Sequence, residues 1–233
     1  MPIYNTVEYL RGAIESVLQQ IDINVHLVMV DDCSTDGSLN ISNEYADREN
    51  VTVLTNEINR GAYYSRNRGL ELLNDGNYNF FTVHDSDDLS DICRYQKVIE
   101  SFDTNTNIIA MQTSYVRLEE QYIVNNIPDL SKGTYRDTGE GIAIYKKEVF
   151  DELGYYDNTR FSGDTDYWMR TQAYCMNNSP YKVSFFKEPL YIAIKRENNL
   201  SAIYTNRQKY WKKISDEVKQ MQRMNNFQRN KFD

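Results

Sequence analysis

The chain has 233 residues, enough for one large α/β domain with a substantial core. Its hydrophobic fraction is 40% and its aromatic fraction 13%, with 19 Tyr against 9 Phe, which is a globular composition and excludes a disordered one. The formal net charge of -8 argues against general nucleic-acid binding through phosphate contacts, so an anionic substrate needs a local cation to receive it.

Cys33, Cys93 and Cys175 are odd in number and far apart, which suggests neither a disulfide framework nor a zinc knuckle and points to a reducing compartment. No apolar stretch approaches the roughly 20 residues that span a bilayer, and the N-terminal region lacks a signal-peptide core. A soluble, cytoplasmic chain is the expectation. Charge is uneven: residues 205–233 hold 8 Lys and Arg against 3 Asp and Glu, leaving -13 on the rest. This basic tail reads as a solvated helix face, with peripheral contact to a membrane or an anionic acceptor as the alternative.

In chain order, Asn5 and Glu8 have the form of a capping box, and Val7, Leu10, Ile14, Val17, Leu18 and Ile21 recur at helical spacing, predicting a helix over 6–20. The nearly continuous apolar run 25–30 predicts a strand covered on both faces. A helix over 38–47, a strand over 51–54, a helix over 63–74 and a strand over 78–83 follow. That alternation predicts a parallel sheet flanked by helices. After Ile109 the pattern loosens into antiparallel strands at 115–118, 122–125 and 142–146, with 114–141 otherwise irregular. Helices at 147–153 and 164–176, strands at 182–186 and 190–195, and an amphipathic helix over 208–224 complete the series. Its stripe Trp211, Ile214, Val218 and Met221 is expected to pack on its own domain.

Ligands of open parallel sheets bind beyond the carboxyl ends of the strands. Asp31 and Asp32 follow one predicted strand, and His84-Asp85-Ser86-Asp87-Asp88 follows another, so both acidic clusters are expected on one edge. Oxygen-only clusters of this kind suit Mn²⁺ or Mg²⁺, which in turn would receive a diphosphate. Loop caps and turn formers remain the plainer alternative for any single Asp. An EF-hand fails, because Asn43 stands where a loop starting at Asp32 needs Glu and Ser90 where one starting at Asp85 needs Gly. Neither GxGxxG after a strand nor GxxxxGK[ST] is present. An aspartate-nucleophile phosphatase, with Asp85 attacking phosphorus and Asp87 as acid/base, stays open.

PIYN at 2–5, VDDCSTDGS at 30–38, NRGAYYSRNRGL at 59–70, DSDD at 85–88 and GDTDYWMR at 163–170 together resemble the family 2 glycosyltransferases, in the family's order, over most of the chain to about Ser201. The resemblance implies a GT-A fold: a mostly parallel Rossmann-like sheet flanked by helices, a smaller antiparallel acceptor-side region and a C-terminal helix. It divides the chain into a catalytic domain over 1–205 and a basic helical tail over 206–233. It implies inverting, metal-dependent transfer of a hexosyl or N-acetylhexosaminyl group from a nucleotide-diphosphate donor, UDP favoured, to a glycan, lipid-linked or protein acceptor.

By the same resemblance Ile3 and Tyr4 border the nucleobase, Asp32 accepts from its imide, Arg66 meets the diphosphate and Asp85 the ribose. Asp87 holds the Mn²⁺ or Mg²⁺, with Asp88 as a further candidate, and Asp164 is the catalytic base. Asp166 and Arg170, spaced i,i+4, read as a structural pair. Acceptor recognition falls to 114–141 and the C-terminal region. Three departures stand out. The apolar strand that precedes the PxYN segment is missing, Gly163 replaces the Glu before the base, and Arg196 falls where a late metal-binding His often stands. They keep open a third possibility, a catalytically weak nucleotide-sugar or glycan-binding domain.

Overall fold

A computed structural model describes residues 1–72, 76–124, 127–160, 162–196 and 207–228. The first half alternates strand and helix: β1 (Pro2–Ile3), α1 (Val7–Leu18), β2 (Leu27–Asp31), α2 (Ser38–Asn43), β3 (Val51–Thr55), α3 (Ala62–Glu71) and β4 (Phe80–Thr82). Then come β5 (Leu89–Ser90), α4 (Arg94–Asp103), β6 (Ile108–Glu119), a short hairpin of β7 (Ile123–Val124) and β8 (Ile127–Pro128), and β9 (Thr134–Lys146). Last are α5 (Lys147–Leu153), α6 (Gly163–Asn177), β10 (Lys182–Phe186), β11 (Tyr191–Lys195) and α7 (Arg207–Met224).

β1, β2 and β3 form a parallel sheet in that order, with Ile3 beside Asp31 and Asp31 beside Thr55. Within the PIYN segment itself, Pro2 and Ile3 form a two-residue strand paired with β2. A second, mixed sheet runs β4-β9-β6-β11-β5, with β10 also paired to β6. Here β9 is antiparallel to both β4 and β6, whereas β10 and β11 run parallel to β6. Half of the stretch 114–141, expected to be irregular between short strands, therefore belongs to two long strands joined across the β7–β8 hairpin.

Two buried clusters follow from the apolar spacing. Leu10, Ile14 and Val17 of α1 meet Leu27 and Met29 of β2, together with Tyr95, Val98 and Phe102 of α4. That α4 spacing is helical, yet its first residue is Arg94, fully buried with Nη2 donating to the Ile142 carbonyl at 2.7 Å. The second cluster packs α5, α6 and β9 around Tyr145, Tyr167 and Trp168, and Ile214, Val218 and Phe227 close it from the C-terminal side. The C-terminal stripe thus packs on its own domain as expected; Met221 is partly buried there, and the Trp211 side chain lies outside the described residues. So do the end of the third predicted helix at Asn74, Asn125, Ser201 and the proposed boundary at 205–206.

The capping box at Asn5 and Glu8 does not form. Asn5 adopts φ 51° and accepts from the Thr35 N–H at 2.8 Å, while Thr6 precedes the helix without a side-chain cap bond. The first helical N–H, at Val7, is instead satisfied by Asp36 at 2.9 Å, from the loop after β2. A remote carboxylate thus does the work of a local cap.

Asp166 and Arg170 are the structural pair that their spacing suggests. Both side chains are fully buried at 2.8 Å, and the guanidinium also donates to the carbonyls of Leu153, Tyr155 and Phe227. It ties α5, the following loop and the C-terminal segment to α6. Arg170→Met is expected to lower unfolding free energy by about 3 kcal/mol or more in urea titrations, because it strands a buried carboxylate. Asp166→Leu combined with Arg170→Met should recover the part of that loss due to the carboxylate, while the three carbonyls remain without their donor.

Candidate active site

The carboxyl ends of β1, β2 and β4 meet through short polar loops. The Asn5 N–H donates to Ser34 Oγ at 3.2 Å, the Thr6 N–H to Ser38 Oγ at 3.0 Å, and the Thr6 hydroxyl to Ser86 Oγ at 3.1 Å. The loops after β1, β2 and β4 are therefore one hydrogen-bonded unit, and the two acidic motifs share one edge as the order of elements implies.

Asp32 is buried, and its carboxylate accepts from Asn56 Nδ2 at 2.6 Å, the Arg60 N–H at 2.9 Å and the Gly61 N–H at 2.7 Å. These bonds hold the turn into α3, where Gly61 sits at φ 93°. Three of a carboxylate's roughly four acceptor sites are thus used within the chain, which leaves room for one further donor. Tyr4 is 49% exposed and available to a ligand at this edge. Ile3, expected beside a nucleobase, is 1% exposed and packed among Leu10, Met29 and their neighbours, in a strand whose two residues are both buried.

α3 carries Tyr63, Arg66, Asn67 and Leu70 on one buried face. Arg66 Nη2 donates to Asp85 Oδ1 at 2.9 Å, and its guanidinium lies 4.7 Å from the centre of the Tyr63 ring. Its Nε and Nη1 are buried without a hydrogen-bond partner among the described residues. Burial disfavours the charge on Arg66, but the fields of Asp85, Tyr63 and Asp164 outweigh it and hold the guanidinium protonated.

Asp164 stands in the first turn of α6. Its Oδ1 accepts from the Tyr63 hydroxyl at 2.8 Å and from the Thr165 N–H at 2.9 Å. Burial first, and the Asp164 charge second, raise the Tyr63 phenol well above its usual range, so it stays a donor. Gly163, the residue in place of the expected Glu, has a physical reason here: a Cβ would lie 2.7 Å from the Tyr63 ring. Gly141 does the same for Asp164, since a Cβ there would come within 2.9 Å of its Oδ2. Tyr63 lies in the stretch NRGAYYSRNRGL, and its helical spacing to Arg66 and Leu70 is the signal that places it on their face.

Each carboxylate of the DSDD motif has its own partner. Asp85 is paired with Arg66, and Asp87 is paired with Arg196, whose guanidinium also lies 5.0 Å from the centre of the Tyr9 ring. Asp88 is buried, with Oδ2 accepting from the Tyr191 hydroxyl at 2.8 Å and Oδ1 from the Ile194 N–H at 2.8 Å. Burial, then Asp87 and Asp85, push the Asp88 carboxyl well above its usual range. Asp88 is an anchor for β11 in this structure, and not an open ligand for a cation. Burial also raises the Asp87 carboxyl, against the lowering pull of Arg196. Among the described residues no group of three or more His, Cys, Asp or Glu is arranged to hold a metal ion. The expected Mn²⁺ or Mg²⁺ thus finds these carboxylates already engaged with donors of the chain itself.

Beneath the motif, His84 is buried between Asp85 and Ser90. Nδ1 lies 2.8 Å from the Asp85 carbonyl and Nε2 3.0 Å from Ser90 Oγ, which itself accepts from Arg94 Nη1 at 3.0 Å. The network assigns the proton to Nδ1, with Nε2 accepting from the Ser90 hydroxyl. Burial first, and Arg94 second, lower the imidazole from 6.5 to about 3. A depressed His makes the unfolded chain bind the proton first, so its contribution is complete above pH 6.5 and is lost as pH falls toward 3. Between pH 6.5 and 5, His84→Gln is expected to lose roughly 2 kcal/mol less stability than the unsubstituted chain in guanidinium unfolding. The buried Asp87 and Asp88 act with the opposite sign in both proteins and cancel in that difference.

The sequence profile described as "Glycosyl transferase family 2" matches residues 1–156. Among curated proteins, glycosyltransferase GlyG of Streptococcus pneumoniae serotype 4 is 26% identical over 222 residues, covering 86% of this chain and 71% of its own. Glycosyltransferase GlyA of the same organism is 26% identical over 167 residues, covering 68% of this chain but only 20% of its own. Among solved structures, S. aureus TarS 1-349 in complex with UDP-GlcNAc superposes with TM-score 0.68 at 22% identity, over 93% of this chain and 63% of that one. The mannosyltransferase PcManGT from Pyrobaculum calidifontis, in complex with GDP-Man and Mn²⁺, gives 0.57 at 14% identity, over 93% and 59%. These likenesses establish the fold, and none of them supports the phosphatase alternative. No described helix is long and apolar enough to cross a membrane. With its profile match over most of its length and its mixed α/β architecture, the chain belongs to glycosyl transferase family 2 and has the GT-A fold.

Proposed function

We propose that this chain carries an inverting nucleotide-sugar transfer, with a UDP-sugar as the favoured donor and an acceptor hydroxyl on a glycan, lipid-linked or protein substrate. The observation that carries the reading is the continuous chain Asp85, Arg66, Tyr63, Asp164, which joins the acidic loop at the strand ends to a carboxylate on α6. Inverting transfer needs those two stations on opposite sides of one sugar. The UDP and UDP-GlcNAc complexes of TarS support the choice of donor.

In this reading the nucleobase lies by Tyr4 and Asp32, the ribose by Asp85, and the diphosphate meets the open nitrogens of Arg66. The acceptor oxygen bonds to the anomeric carbon as the bond from that carbon to the diphosphate oxygen breaks, and the electron pair leaves on the diphosphate. The acceptor's proton goes to Asp164. Tyr63 and the Thr165 N–H fix Oδ1, so Oδ2 is the oxygen left to receive it. The resemblance would put a divalent Mn²⁺ or Mg²⁺ at Asp87, where it would supply a Lewis acid for the leaving group, and PcManGT is in complex with Mn²⁺. The pairing of Asp87 and the anchoring of Asp88 favour a cation from the chain itself.

Asp164→Asn is expected to leave UDP affinity within about twofold of the parent by calorimetry and to reduce transfer from a UDP-sugar by at least about 100-fold. Transfer at the parent rate would remove Asp164 from the role of base. UDP affinity lost together with transfer would place Asp164 on the donor instead.

A further inference from the structure

We infer that Arg196 takes the place of a divalent cation at the acidic loop, so that the nucleotide diphosphate binds between two guanidinium groups and needs no metal. The inference rests on the nucleotide-diphosphate reading above and changes what neutralises the donor. Three features carry it.

First, the acidic motif is balanced from within. Asp85 is held by Arg66, Asp87 by Arg196, and Asp88 by the Tyr191 hydroxyl and the Ile194 N–H, so a metal ion gaining Asp87 or Asp88 would have to compete with a charged or buried donor, while Asp85, its side chain 41% exposed, is the more open of the three. Second, the Arg196 pair is sheltered: the side chains of Arg196 and Asp87 are 21% and 15% exposed. Water screens such a pair less than a surface one, and a divalent ion brought to Asp87 would face the fixed charge of a guanidinium. Third, β11 delivers Arg196 directly. Its strand is locked beside the motif, since the Ile194 N–H and the Tyr191 hydroxyl both bond Asp88. The strand therefore seats the anchor at Ile194, and Arg196 follows its last residue.

A guanidinium suits this exchange. It stays protonated at any physiological pH, and its planar fork matches two phosphate oxygens at once. Arg66 already presents two buried nitrogens without partners among the described residues. Arg66 and Arg196 grip neighbouring carboxylates of one short loop, Asp85 and Asp87, and so approach a diphosphate from two sides. As the leaving group gains charge, both are placed to stabilise it without a Lewis acid.

The test uses the full chain in two measurements. In the first, Mn²⁺ alone is titrated and followed by electron paramagnetic resonance. The parent is expected to leave the free-ion signal unchanged, whereas Arg196→Ala is expected to bind the ion through the vacated Asp87. Mn²⁺ bound by the parent and lost in Asp87→Asn overturns the inference, whatever the nucleotide does.

In the second, UDP is titrated by calorimetry with Mn²⁺ and again with EDTA. The expected result is equal affinity in both, weakened at least about tenfold in EDTA by Arg196→Ala and largely kept by Arg196→Lys. Thermal melting of each variant checks that it is folded, and Arg196→Lys preserves the charge should the alanine variant fail. UDP binding that needs Mn²⁺ overturns the inference and leaves the nucleotide reading intact. UDP binding under neither condition overturns the nucleotide reading and this inference with it.

Discussion

Carboxylates gathered at the end of a buried strand repel one another, and this structure depends on how that repulsion is offset. The four-residue stretch from Asp85 to Asp88 holds three of them. They are answered by donors from two remote parts of the chain: Arg66 of α3 for Asp85, and Arg196, the Tyr191 hydroxyl and the Ile194 N–H, on or just after β11, for Asp87 and Asp88. Because the offsets come from remote elements, folding the acidic loop and docking α3 and β11 are one event. An uncompensated carboxylate in this place would cost several kcal/mol, so the contacts are conditions for the fold as well as features of a site.

The same logic extends outward. Asp32 satisfies the Arg60 and Gly61 N–H groups and so sets the entry of α3, which places Arg66 and Tyr63. Asp36 caps α1 from a distance and locks the loops after β1 and β2 together. Tyr63 carries the arrangement across to Asp164, with Gly163 and Gly141 leaving the space that the phenol and the carboxylate need. Polar side chains at strand ends thus have two duties, closing backbone donors that loops would leave open and presenting charge to a ligand.

Much of the architecture was legible because apolar periodicity is a local signal. The helix over 147–153 and the strand over 182–186 have the bounds that their spacing predicts. α4 was not read, although Tyr95, Val98 and Phe102 are helically spaced, because its buried first residue is an arginine that resembles a surface charge. The long strands β6 and β9 were read as fragments, since register shifts between them interrupt the alternation on which strand reading relies. The candidate site was legible as a set of acids with Ile3, Tyr4 and Arg66 beside them. Its partners were not, because Asp87 and Arg196 lie 109 residues apart and Tyr63 and Asp164 lie 101 apart. Spacing in sequence carries no information about pairs that only folding brings together.

A crystal structure of the full chain grown with UDP and Mn²⁺, with data collected to locate manganese by its anomalous scattering, is the most direct test. The expected result is the nucleobase beside Tyr4 and Asp32, the diphosphate held by Arg66 and Arg196, the Tyr63–Asp164 bond intact, and no manganese peak at Asp87. A manganese ion seated on Asp87 with Arg196 turned away, or a nucleotide bound elsewhere on the chain, would contradict it.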